Sequence, residues 1–208
     1  MRIPRGYATA SRRWMLLVAM SLAAGCTATS VTPAQPPDRS SAAWPYAFKP
    51  MADGKRWITT NLNIKTEDSY CYADVHRNCQ QYGRLYTWAS AQRACQSLGN
   101  EWRLPTDGEW RELAKRHGGV SEDAADKGKT AYRALLIGGE SGFNAVLGGG
   151  REPGGDYARG DAHGFYWTAT EDGGGHAWFY NFGKGGLAVH RQAKGEKERA
   201  FSVRCVSP

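Results

Sequence analysis

The 208-residue sequence lacks a hydrophobic run long enough to cross a bilayer. Its longest apolar stretch, Trp14 to Gly25, falls short of the roughly 20 residues a spanning helix needs. Histidine is sparse and badly spaced for metal. His76, His117, His163, His176 and His190 contain neither a His-x-x-x-His pair nor a His-Glu-x-x-His motif. There is no Gly-x-Ser-x-Gly nucleophile elbow. Gly138-Gly139, Gly148-Gly149-Gly150 and Gly173-Gly174-Gly175 lack the strand-then-helix setting of a phosphate-cradling loop and read as turns. No metal, cofactor or catalytic residue is therefore expected. Strong charge is missing too, once the first residues are set aside. Removing Arg2, Arg5, Arg12 and Arg13, with no acidic residue lost, lowers the formal charge from +7 to +3. That surplus does not supply the clustered basic face that nucleic-acid binding needs.

What is present begins with an export signal. Arginines followed by the apolar run from Trp14 give residues 1–25 the form of a signal peptide. Ser11-Arg12-Arg13-Trp14-Met15-Leu16 also resembles a twin-arginine signal, so either export route fits. Leu22-Ala23-Ala24-Gly25-Cys26 resembles a lipobox, which makes Cys26 the expected acylation site and new N-terminus. Thr27 stands where aspartate resembles an inner-membrane retention signal, which favours the outer membrane of a bacterial envelope. Residues 26–50 are rich in Thr, Ser, Ala and Pro. Such a composition cannot bury enough apolar surface to order itself, and reads as a flexible tether from the lipid. Trp44, Tyr46 and Phe48 near its end are read as docking on the domain or as a short edge strand.

Residues 51–208 form the domain. Trp88, Ala91, Cys95 and Leu98 recur at helical spacing, and Gly99-Asn100 stops that helix. Trp102 and Leu104 alternate with Glu101 and Arg103, as in a strand with one buried side. Thr106 and Glu109 form a capping box that starts a second helix with Trp110, Leu113 and Ala114 inward. Tyr70 to Tyr82 reads as a polar loop, and Ala131 to Ile137 as a third short helix. From Gly138 on, short β-prone runs alternate with turns: Phe143–Leu147, Gly164–Ala169, Ala177–Phe182, Leu187–Gln192 and Ala200–Val206. The fold class is α+β, with two main helices on a loop-rich antiparallel sheet.

Several ordered motifs carry a family resemblance. Tyr82-Gly83-Arg84-Leu85-Tyr86-Thr87-Trp88, Trp102-Arg103-Leu104-Pro105-Thr106, Gly164-Phe165-Tyr166-Trp167-Thr168 and Phe201-Ser202-Val203-Arg204-Cys205-Val206 are similar to the Fibrobacter succinogenes major paralogous domain. They also resemble the C-terminal domain of Legionella collagen-like proteins. The resemblance implies a C-type-lectin-like fold, akin to formylglycine-generating enzymes and retroelement-diversified binding proteins, and no defined reaction. Departures matter. Glu152-Pro153-Gly154 only partly echoes the lectins' calcium loop, and Trp167-Thr168-Ala169 offers no carboxylate for the second half of that site.

Four cysteines follow Cys26, an even number that in an exported chain reads as two disulfides with three possible pairings. Local spacing favours Cys71–Cys79. The remainder, Cys95 and Cys205, matches the helix-to-last-strand bridge that the resemblance implies. With every mature cysteine in a disulfide, the redox pair of the formylglycine-generating relatives has no counterpart. The expectation is a non-catalytic binding module with a protein or glycan ligand; a divergent enzyme and a structural envelope protein are the alternatives. Tyr157, Arg159, His163, Trp178, Tyr180, His190 and Arg191, on loops and strands of the C-terminal half, are the expected ligand contacts, because aromatic and guanidinium groups dominate binding surfaces.

Overall fold

A computed structural model describes residues 46–208; the signal, the lipobox and most of the tether lie outside the described residues. The first half contains β1 (Phe48–Pro50), β2 (Arg56–Ile58), β3 (Ser69–Tyr70), α1 (His76–Tyr82), β4 (Leu85–Tyr86), α2 (Trp88–Gln96) and α3 (Asp107–Lys115). The second contains α4 (Lys129–Leu135), β5 (Gly150–Arg151), β6 (Tyr157–Ala158), β7 (His163–Glu171), β8 (His176–Gly183), β9 (Ala188–Glu196) and β10 (Val206–Ser207). The protein is thus α+β, with small antiparallel sheets: β1-β2-β10, β3-β4, β5-β6 and β7-β8-β9. Among the described residues no helix is long and apolar enough to cross a membrane.

Local chemistry explains the helices. In α3 the Thr106 hydroxyl accepts from the Glu109 N–H, while the Glu109 carboxylate accepts from the Thr106 N–H at 2.8 Å. Asp107 and Glu109 stand in its first turn and Lys115 in its last, each complementing the helix dipole. Trp110, Leu113 and Ala114 are its buried face. The sheet β7-β8-β9 divides the core. Tyr166, Tyr180, Phe182 and Val189 on one face pack with Trp57, Trp110 and Phe143. Trp167 and Ala177 on the other pack with Ile58, Tyr86, Cys95, Phe201 and Val203. Trp110 is the hub of the first cluster: its ring lies 5.2 Å from Trp57, 5.4 Å from Phe143 and 5.1 Å from Tyr180.

Both disulfides form, Cys71–Cys79 and Cys95–Cys205. The second ties α2 to the residue before β10, and β10 pairs with β2, so the two ends of the domain close on each other.

Several sequence expectations need correction. Trp102 and Leu104 are buried as alternation requires, yet the segment makes only one bridge, Arg103 to Val206. Phe143–Leu147 likewise makes one bridge, Ala145 to Leu136. The expected loop from Tyr70 to Tyr82 contains α1. That helix has no apolar periodicity, because only Cys79 is buried, and the disulfide supplies the anchoring that packing does not. Ordered structure also starts before position 51, since β1 pairs with β2 from Phe48.

Candidate functional site

The site is built on β7, β8 and β9. Antiparallel pairing sets Phe165 opposite Asn181 and Phe179 opposite Gln192, so these four share one face of the sheet. Phe201 joins them from the following segment. The three phenyl rings form a floor, with Phe201 centred 5.0 Å from both Phe165 and Phe179. Around this floor runs a groove of about 310 Å³. Its rim carries Asn181 and Gln192 and five charged side chains, Glu152, Arg159, Lys194, Glu196 and Arg199.

Two features shape the rim. Gly195 lies against the Phe179 and Trp167 rings, where an added Cβ would meet both at 2.8 Å, so the strand passes at glycine distance only. Just before it the register slips. Ala177 pairs with Gly195 but Phe179 pairs with Gln192, so β9 holds one residue more than β8 across that step. Such a bulge redirects side chains. Here Lys194 takes left-handed backbone, φ 60°.

Electrostatics divide the rim unevenly. Arg199 forms ion pairs with both Glu152 and Glu196. Among the described residues the Arg159 guanidinium approaches only the His163 Nε2, at 3.5 Å, the outer limit of a hydrogen bond. A guanidinium can only donate, so His163 Nε2 accepts and Nδ1 carries the ring proton. Nδ1 then donates to Asn181 Oδ1 at 2.9 Å.

A larger hollow of about 790 Å³ lies elsewhere, beside Tyr132, Leu136, Ile137, Leu147 and Leu187. Its lining is mainly apolar, whereas the sheet groove combines an aromatic floor with convergent polar groups, the usual make-up of a ligand site. Among the described residues no group of three or more His, Cys, Asp or Glu side chains is placed to hold a metal ion.

The expected ligand contacts are not brought together. Arg159 lines the groove, and His163 supports it through Asn181. Tyr180 is corrected outright. It is fully buried on the opposite face, stacked on Trp110, with its hydroxyl donating to the Asp107 carbonyl at 3.1 Å. Arg191 grips the Asp107 carboxylate through two bonds of 2.7 Å while lying 3.6 Å over the Trp178 ring. Those two residues brace β8 and β9 against the start of α3 instead of meeting solvent with a free charge. His190 stands opposite Asn181, on the groove's face of the sheet, and its ring faces Glu122 at 3.7 Å. Tyr157 donates to Asp74 at 2.6 Å and packs on Tyr72, and burial, then that bond, push its phenol up to about 12. It clamps the disulfide-closed segment to β6.

Phe165, Phe179, Asn181, Gln192, Lys194 and Phe201 were missing from the sequence expectation. Alternation along a strand sets Phe179 on the face opposite to Trp178, a signal the sequence does carry. Which residues face each other across strands depends on a register that bulges alter, and no motif announces those bulges.

The family model for the Fibrobacter succinogenes major domain matches residues 46–207. The chain belongs to this family. The Fibrobacter succinogenes major domain thus takes in both disulfides, the Trp110 core and the whole groove. No curated protein and no solved structure matches the chain.

Proposed function

We propose that the protein is an exported, lipid-anchored, non-catalytic binding module of the bacterial cell envelope, held at the outer membrane through Cys26, and that its protein or glycan ligand occupies the groove over Phe165, Phe179 and Phe201. We assign the domain to the C-type-lectin-like folds. Supporting that assignment, the first and last strands of the domain share one sheet and a bridge runs from α2 to the last strand region. One observation carries the binding reading: a concave aromatic floor with unsatisfied polar groups at its rim, on a face braced by Arg191, Trp178 and Asp107 from behind. Rigid backing reduces the ordering cost of binding.

The test is a filled groove. Ala193 lines it and is small. Glycan and envelope-protein arrays probed with the wild-type chain and with Ala193→Trp should share no retained spot above background. Spots that survive the substitution would move the ligand site elsewhere.

A further inference from the structure

The groove holds a charge imbalance that its own residues do not resolve. Glu152, Glu196 and Arg199 satisfy one another. Arg159 and Lys194 are left over, and no carboxylate among the described residues lies within ion-pair reach of either. Both adopt left-handed backbone, φ 65° and 60°, a conformation L side chains seldom take and glycine or asparagine takes readily. At Lys194 the strain belongs to the bulge of β9. Two cations thus stand in uncommon backbone geometry on the rim of one groove, with no carboxylate partner among the described residues.

The neutral groups at the rim are unmet as well. Because Asn181 Oδ1 accepts from His163, its amide nitrogen is the end left over, and it has no partner among the described residues. The Gln192 amide has none either. Below them lie the Phe165 and Phe179 rings, both partly exposed. A ligand matching all of this needs an apolar face for the rings, hydroxyls for the amides and negative charge for the cations. We infer that the groove seats an acidic saccharide, a sugar bearing carboxylate or sulfate. Arg159 and Lys194 meet its charge, Asn181 and Gln192 its hydroxyls, and Phe165 and Phe179 the C–H face of a ring.

An acidic peptide fits less well. Peptides gain affinity on sheets by adding to an edge, where backbone groups are free. The aromatic floor of this groove lies on the sheet face, where β7 pairs with the central strand β8. Its volume of about 310 Å³ also suits a short saccharide better than an extended chain.

The inference rests on the groove being the ligand site, and the experiment separates the two. Calorimetry on the full chain would use four probes: tetragalacturonate, a chondroitin sulfate tetrasaccharide, maltotetraose and a Glu-rich peptide. At least one acidic tetrasaccharide should bind, and which one tells carboxylate from sulfate. Arg159→Asn and Lys194→Asn suit left-handed backbone and should leave the thermal midpoint unchanged. Each should weaken binding by about tenfold, and added salt should weaken wild-type binding as well. Equal binding of maltotetraose overturns the inference. So does binding of the peptide alone, silence with all four probes, or indifference to both asparagine variants. If Ala193→Trp abolishes binding while the asparagine variants do not, the groove stands and the acidic specificity falls. If Ala193→Trp leaves an acidic saccharide bound, the groove itself is the wrong place.

Discussion

Arg204 is a charged side chain with no exposed surface. Burial pushes its guanidinium below the ordinary arginine range, yet four of its five N–H donors are occupied by the bonds that follow. Nε reaches Asn61 Oδ1 at 2.8 Å, and the terminal nitrogens reach the carbonyls of Ile58, Phe143 and Asn144 at 3.0, 2.6 and 2.6 Å. The residue therefore satisfies two carbonyls of irregular backbone, Phe143 and Asn144, and the last carbonyl of β2. Arg204→Met should cost about 3–5 kcal/mol, because two buried carbonyls and one part-buried carbonyl would lose their donor. Urea unfolding midpoints would measure this, with Arg204→Lys falling between, since an ammonium cannot match the planar fork. Glu109 makes a pH prediction at the same scale. Burial alone would raise its carboxyl, but Arg103 and Thr106 outweigh that and hold it near 2, down from an ordinary 4.5. A depressed carboxylate contributes stability above its unfolded value and loses it as pH falls from about 4.5 to about 2. Thermal midpoints should drop more steeply across that window in the wild type than in Glu109→Gln. Tyr180 and Arg191 complete the residue scale. Replacing both with alanine empties a core position against Trp110 and unpairs Asp107. The double variant should therefore lose several kcal/mol of stability, an order of magnitude set by aromatic truncation in cores. An unchanged melting curve would contradict the buried placement.

At the scale of elements, the two disulfides do different jobs. Cys71–Cys79 spans 8 residues and holds a helix that buries almost nothing else. Cys95–Cys205 spans 110 residues and joins α2 to the C-terminal strand region. In the chain-entropy model the longer closure contributes roughly 4–5 kcal/mol and the shorter roughly 2–3. Serine pairs at Cys95 and Cys205 should lower the unfolding free energy more than serine pairs at Cys71 and Cys79, and non-reducing peptide mapping should recover only these two bridges among the four cysteines. Strand β9 makes a separate prediction. Gly195→Ala would drive a Cβ into the Phe179 and Trp167 rings and to 3.0 Å from the Ala177 carbonyl. Backbone on one side and two packed rings on the other leave little room to relax. A loss of about 1–3 kcal/mol is expected, and array binding should fall with it because the displaced Phe179 ring belongs to the groove floor.

For the whole molecule, the anchoring reading meets a direct test. Cys26→Ser should move the protein from the detergent-dependent membrane fraction to the soluble fraction, assayed by fractionation and blotting. A variant that stays membrane-bound removes the lipid anchor from the proposal. The groove is independent of that result, because every residue lining it lies within 152–201.

The sequence by itself determined the α+β class, the capping box at Thr106 and Glu109, the inward face of α3 and the local Cys71–Cys79 bridge. Each rests on neighbours a few residues apart, where spacing and turn chemistry act without long-range help. The family, too, was legible in its ordered motifs. Tertiary structure decided the rest. Tyr180 read as a ligand contact alongside Trp178 until sheet pairing turned it onto Trp110. Arg191 looked like a free cation until α3 brought Asp107 to it. Asn181, Gln192 and Lys194 carried no motif, and only the register of β8 against β9, altered by one extra residue, set them around the three phenyl rings. A β-strand fixes which residues alternate, but its partner and its bulges fix which face meets water, and those are settled by packing between segments far apart in the chain.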